Sequence, residues 1–211
     1  MWSTTMTSPE SEPTQSLAAL YKAMEGDDRN PLTSAKTFVR GEGPLHAPIM
    51  LIGERPGDQE DRQGHPFVGP AGKMLDACLK EAGLDRSCVF LTNAVKRFRF
   101  SVAGKRRLHE APNAGEIHHA RWWVGREIAL VSPAVVVTLG ATALRVVAGR
   151  ATLGPVRGEI LDVQGIPVLP TIHPALLLRR RRSDYAQERA SFIHDLARAK
   201  AIANERNGQP R

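Results

Sequence analysis

Cysteine is nearly absent: Cys78 and Cys88 are the only two in 211 residues. Two thiols exclude the disulfide framework of small secreted domains and point to a reducing compartment. Long apolar runs are missing as well, and no stretch approaches the roughly 20 residues that cross a bilayer. The N-terminus lacks the basic-then-apolar order of a secretory signal. A cytoplasmic protein is expected. Acidic residues are in deficit, 22 against 29 Lys and Arg, for a formal net charge of +7. That balance favours a polyanionic partner such as nucleic acid, although many basic proteins gain only solubility from it. The length and the 42% hydrophobic content suit one core and one domain.

What is present is organised around Gly53-Glu54-Arg55-Pro56-Gly57-Asp58-Gln59-Glu60-Asp61. The apolar run Ile49-Met50-Leu51-Ile52 leads into it and reads as a buried parallel strand. Two glycines and a proline let the chain bend sharply where four carboxylates crowd together. Open α/β sheets place ligands at that carboxyl end of their strands.

Residues 1–15 are rich in Ser, Thr, Pro and Glu and are expected to be a disordered tail. A single domain is expected over 16–205, with a short tail at 206–211. Ser16–Glu25 reads as a helix, and 26–43 as a surface connection. Pro70 opens a helix whose apolar face includes Met74, Leu75, Cys78 and Leu79, and which Gly83 closes. Both cysteines read as structural. Val89–Thr92 and the valine-rich Ala134–Leu139 are buried strands, and Glu159–Val163 and Pro167–Thr171 are strand candidates. Helices are expected near Asn113–Val131, Ala141–Ala148 and Asp184–Ala203. This alternation implies a three-layer α/β/α domain with a central, mostly parallel four-stranded sheet.

Between the second strand and the helix near 113 lies a basic stretch. It carries Lys96, Arg97, Arg99, Lys105, Arg106 and Arg107, with Phe98 and Phe100 interleaved and no acid before Glu110. It exceeds an ordinary connection of about 4 to 6 residues and reads as a functional or disordered loop. The Glu54 loop, Asn93, His109 and His173-Pro174 all follow strand ends, so a parallel sheet gathers them on one rim. An amide that reads a base edge, an aromatic ring that stacks, and cations that hold phosphates suit a nucleobase.

These residues carry a resemblance. The Gly53–Asp61 motif, Pro66-Phe67-Val68-Gly69-Pro70-Ala71-Gly72, Thr92-Asn93-Ala94-Val95-Lys96, Lys105-Arg106-Arg107-Leu108-His109 and Ile172-His173-Pro174 resemble the uracil-DNA glycosylase superfamily. The nearest branch is the UdgX type, close to family 4. The resemblance covers about 39–204 and implies an enzyme that flips uracil out of DNA and excises it. Gly53, Arg55, Pro56, Gly57 and Asp58 would line the sugar and base, Phe67 would stack on uracil, and Asn93 would read the pyrimidine edge. Glu54 would stabilise the sugar cation or take a proton, and His173 would bond O2 of the departing base. His109 would attack the exposed sugar carbon and leave a covalent protein–DNA adduct. Lys96, Lys105, Arg106, Arg107 and Arg179 would contact DNA. The implied partner is uracil-containing DNA, single-stranded or double-stranded, bound by a monomer.

The sequence departs from that pattern in three places. Position 55 is Arg where the UdgX type usually has Gln. Ala175 replaces a serine. The cysteines of the family's 4Fe–4S cluster are missing, with Arg97 and Ala120 at the later ligand positions. Two thiolates cannot hold a four-cysteine cluster, so no cluster and no other metal or cofactor is expected. Simpler alternatives stay open on the sequence alone. The acidic stretch also suits a helix cap or a magnesium site, His109 a solvated histidine, and His173 a structural one. A glycosylase that turns over without an adduct, and a non-catalytic DNA-binding relative, are the competing functions.

Overall fold

The structure is a computed structural model that describes residues 16–27, 37–104, 106–150, 152–179 and 181–208, with the side chains of Arg106 and Arg182 outside the description. The expected N-terminal tail and Lys105 fall outside the described residues.

The core is a five-stranded sheet in the order β2-β1-β5-β7-β6. Its strands are β1 (Ile49–Gly53), β2 (Val89–Asn93), β5 (Val135–Leu139), β6 (Leu161–Val163) and β7 (Ile166–Thr171). Four run parallel, and β6 pairs antiparallel with β7. The expected four-stranded sheet is thus extended by one edge strand. Only three residues pair there, bounded by the turn at Gln164-Gly165. β1, β2 and β5 are buried along their whole length, as β-branched runs in a two-faced sheet must be.

The helices are α1 (Leu17–Glu25), α2 (Asp58–Gln63), α3 (Pro70–Glu81), α4 (Ala114–Val131), α5 (Ala141–Ala148), α6 (Pro174–Leu177) and α7 (Arg182–Asn207). Strand alternation divides the core. Leu51, Val137 and Leu169 meet Leu75 and Leu79 of α3 and Phe192 and Leu196 of α7. Met50, Ile52, Val136 and Val168 meet Val124 and Ile128 of α4 and Val146 of α5. Each such fully buried side chain contributes about 1.5–3 kcal/mol. A third cluster joins α1 to Phe38 and Trp123.

The helix boundaries follow capping chemistry. Asn113 caps α4 by accepting from the Glu116 amide, while the Glu116 carboxylate accepts from the Asn113 amide. α7 continues through Asn207, past the expected domain boundary at 205. Cys78 is buried as expected, but Cys88 is exposed. It ends a short 3-10 turn just before β2, at the place in the chain the sequence indicates. The segment from 37 is no loose connection. Phe38 and Val39 are buried, and Glu42 bridges Leu91.

The largest departure is the basic stretch. It forms a hairpin of β3 (Phe100–Ala103) and β4 (Arg106–His109), with Ala103 opposite Arg106 across the turn. Register then sets Phe100 opposite His109.

Candidate active site

Because β1, β2, β5 and β7 are parallel and in register, Gly53 lies opposite Asn93, and Leu139 opposite Thr171. The segments that follow them, from Glu54, Ala94, Gly140 and Ile172, therefore emerge on one rim. Gly53 shows how tight this rim is. A Cβ there would lie 2.5 Å from Asn93 Oδ1 and 2.6 Å from Phe67 Cζ. Phe67 in turn stacks near His173, with ring centroids 6.3 Å apart and planes 26° from parallel. The amide, the aromatic ring and one imidazole thus share one neighbourhood.

Phe67 is held there at some cost. Its φ is +55°, a left-handed conformation unusual for a bulky residue and commonest at ligand sites. Gly72 makes it possible, since a Cβ at 72 would lie 1.9 Å from the Phe67 carbonyl oxygen. Glu60 closes the same loop, accepting from the Gly57 amide at 3.1 Å and the Gly69 amide at 2.8 Å. Pro56 and Gly57 lead into α2, which Gly57 caps.

Glu54 faces two partners. Thr142 Oγ1 donates to its Oε2 at 2.5 Å, and its Oε1 lies 3.7 Å from Nε2 of His109. His109 also packs beside Phe98, 6.0 Å between centroids. Burial holds the His109 pKa below its ordinary value. The Glu54 carboxylate opposes that shift, and the Arg55 and Arg179 charges add to it. At neutral pH the ring is a neutral imidazole.

His173 caps α6, and the Ala175 amide donates to its Nδ1 at 3.2 Å. With Nδ1 as acceptor, the neutral ring carries its proton on Nε2, where it can donate to a ligand. Burial pushes the His173 pKa down to about 4, opposed by Glu54 and helped by His109 and Arg179. Arg179 is exposed just beyond α6, close enough for its charge to act on both rings.

Four expected site residues are engaged by other groups of the protein. Arg55 is buried and donates to Glu116 and, at 3.0 Å, to the Glu110 carbonyl oxygen. Asp58 was expected at the sugar, yet Arg62 and Arg107 bond both of its oxygens. Arg107 was expected on phosphate, but it pairs with Asp58 and Asp61 and stacks over Phe98 and Phe100 at 5.2 and 4.8 Å. Lys96 was also expected on DNA and is 3% exposed. Its ammonium bonds Glu127 at 2.7 Å, the Asn93 carbonyl at 2.7 Å and Thr92. Each of the three cations is captured by an acid remote in sequence. Thr142 was missed, although its place just after the third parallel strand marked it as a rim residue. The sequence marks Glu60 only as one of the crowded carboxylates, and Glu116 stands three residues after Asn113, the spacing of a capping box.

The ligands of an iron–sulfur cluster do not fit here. Cys78 lies on the buried face of α3, and Cys88 is at the surface. Ala120 is buried and apolar, and Arg97 lies over the Phe38 ring at 5.4 Å. Phe38, Tyr21, Met24 and Trp123 fill the adjoining space.

Residues 40–197 match the family model of the Uracil DNA glycosylase superfamily. The chain belongs to that superfamily. It is 36% identical over 167 residues to a type-4 uracil-DNA glycosylase of Thermotoga maritima, covering 78% of this chain and 82% of the relative. It is 32% identical over 189 residues to a type-4 uracil-DNA glycosylase of Pyrobaculum aerophilum, covering 84% and 93%. The glycosylase match spans every rim segment described above, from Glu54 to His173.

Proposed function

We propose that this member of the uracil-DNA glycosylase superfamily excises uracil from DNA and then retains the abasic sugar covalently on His109. Excision rests on the family and on the shared rim of Glu54, Phe67, Asn93 and His173. The adduct rests on one observation, the 3.7 Å approach of His109 Nε2 to Glu54 Oε1 beside that rim.

The chemistry runs from these groups. Uracil leaves the base stack at a cost of a few kcal/mol. Phe67 offers a stacking face, and the Asn93 amide offers a donor and an acceptor to the pyrimidine edge. The bond between the sugar C1′ and the base nitrogen breaks, and its electron pair stays on uracil. The Nε2–H of His173 stabilises the negative charge that builds on O2, and Glu54 stabilises the positive charge on the sugar. The lone pair of His109 Nε2 then forms a bond to C1′. The alkylated imidazolium loses its Nδ1 proton to solvent, and the uracil anion gains one.

This reading includes a protein without an iron–sulfur cluster, since the two thiols cannot supply the ligands. Magnesium chemistry at the acidic stretch is disfavoured, because Asp58 and Asp61 already bind Arg107 and Glu60 binds two backbone amides.

A denaturing gel of protein mixed with uracil-containing single-stranded DNA tests the reading. A shifted band that survives SDS and heat, and that His109→Ala abolishes while excision persists, is the expected result. Alkali-labile cleavage without a shifted band would instead establish a turnover enzyme. An intact, unshifted oligonucleotide would establish a non-catalytic relative.

A further inference from the structure

We propose that Arg55 is a positioning residue, a buried latch that fixes the His109 strand against the Glu54 loop. The inference rests on the reading of His109 as the nucleophile.

His109 sits in a two-stranded hairpin, separate from the main sheet, that pairs with no other strand among the described residues. A nucleophile on such an element needs anchors, and two flank it. Two residues before it, Arg107 is fixed to Asp58 and Asp61 of α2. One residue after it, the Glu110 carbonyl accepts from Arg55 Nη1 at 3.0 Å. The side chain of Arg55 is completely buried, and its other terminal nitrogen pairs with Glu116, whose side chain is 1% exposed.

Glu116 is shared. Its second oxygen accepts from the Asn113 amide at 2.9 Å and lies 3.3 Å from Arg99 Nη1. Arg99 then bonds the Glu110 carboxylate at 3.0 Å, and the Glu110 amide returns a bond to the Arg99 carbonyl. The network thus joins three separate elements: the loop after β1, both ends of the hairpin, and the start of α4. Arg55 is the only member that also adjoins Glu54 in the chain. One guanidinium therefore holds the nucleophile's strand to the residue beside the carboxylate that His109 faces. A planar fork bonds a carboxylate and a carbonyl in one fixed geometry, whereas methionine has no donor for either.

The test follows uracil release, adduct yield and hairpin hydrogen exchange in wild type, Arg55→Met and Arg99→Met. Arg99 is about one-third exposed, so its variant stays informative should Arg55→Met fold poorly. In Arg55→Met, adduct formation is expected to slow about 100-fold, as for a reacting group displaced by about 1 Å. Uracil release in the same sample should change far less. General destabilisation would lower both together. Amides of Phe100–Ala103 and Arg106–His109 should exchange about tenfold faster, the scale of a lost charged hydrogen bond. Arg99→Met should move every readout in the same direction by less.

Unchanged adduct yield and unchanged exchange in both variants would overturn the latch and leave the nucleophile reading intact. A wild type that forms no adduct, combined with faster hairpin exchange in Arg55→Met, would overturn the nucleophile reading and leave the latch intact.

Discussion

Thr142 Oγ1 donates to Oε2 of Glu54 at 2.5 Å, which leaves the other carboxylate oxygen facing His109. The hydroxyl comes from the start of α5 and the acid from the end of β1, so the carboxylate is aimed by a neighbouring βα connection. Glu54→Gln is expected to slow uracil release about 10²- to 10³-fold, the scale for removing one group that stabilises transition-state charge. Thr142→Val should cost about tenfold through loss of that aim. Single-turnover release of uracil measures both, and equal rates in Thr142→Val and wild type would remove the hydroxyl from the account.

Acid should affect attachment and stability in distinct ways. The His109 pKa lies below its ordinary value, so adduct formation should be flat at neutral pH and fall only below the ordinary imidazole range. The His173 pKa is about 4 in the folded protein, against about 6.5 in an unfolded chain. Between those values the unfolded chain binds more protons than the folded one. Stability from this ring is therefore complete above about pH 6.5 and is lost as pH falls toward about 4. Urea unfolding at pH 7 and pH 5 should show the loss, and His173→Gln should flatten it.

Lys96 and Glu127 form a fully buried pair beneath Asn93. Lys96→Met leaves Glu127 charged and only partly bonded, which should cost about 3–5 kcal/mol. Denaturant midpoints measure this. A variant as stable as wild type would show that the pair contributes nothing to folding.

Salt dependence separates cations on DNA from cations engaged internally. Arg179→Ala should lower the slope of log affinity against log salt by about 0.7 to 0.9, one phosphate contact. Arg107→Met should leave the slope alone, because its guanidinium is held by Asp58 and Asp61. A reversed pattern would put Arg107 on the DNA backbone.

Purified protein should be colourless and should carry iron far below one cluster per chain. Stoichiometric iron by elemental analysis would show that other groups stand in for the missing thiolates.

Much of the fold was legible because it depends on local signals. β1, β2 and β5 are apolar β-branched runs, α3 opens on Pro70, and α4 carries its own Asn113 cap. The rim followed from strand order alone, so Glu54, Asn93 and His173 could be named before any coordinates. The hairpin was not legible. Its strands are four residues long, and Val102 and Leu108 are exposed, so no buried face gives the alternation away. Nor were the fates of Arg55, Lys96 and Arg107. A cation shows its charge in a sequence but not its partner, and theirs lie 61, 31 and 49 residues away. Read alone, the interleaved Phe98, Phe100 and Arg107 look like a nucleic-acid surface; folded, they stack on one another.

The left-handed turn at Phe67 has a consequence for how this protein can change over generations. The turn depends on a helical neighbour with no side chain, since even one methyl group at position 72 would collide with the Phe67 backbone. Descendants must therefore vary the residues around the ring and leave its foundation untouched.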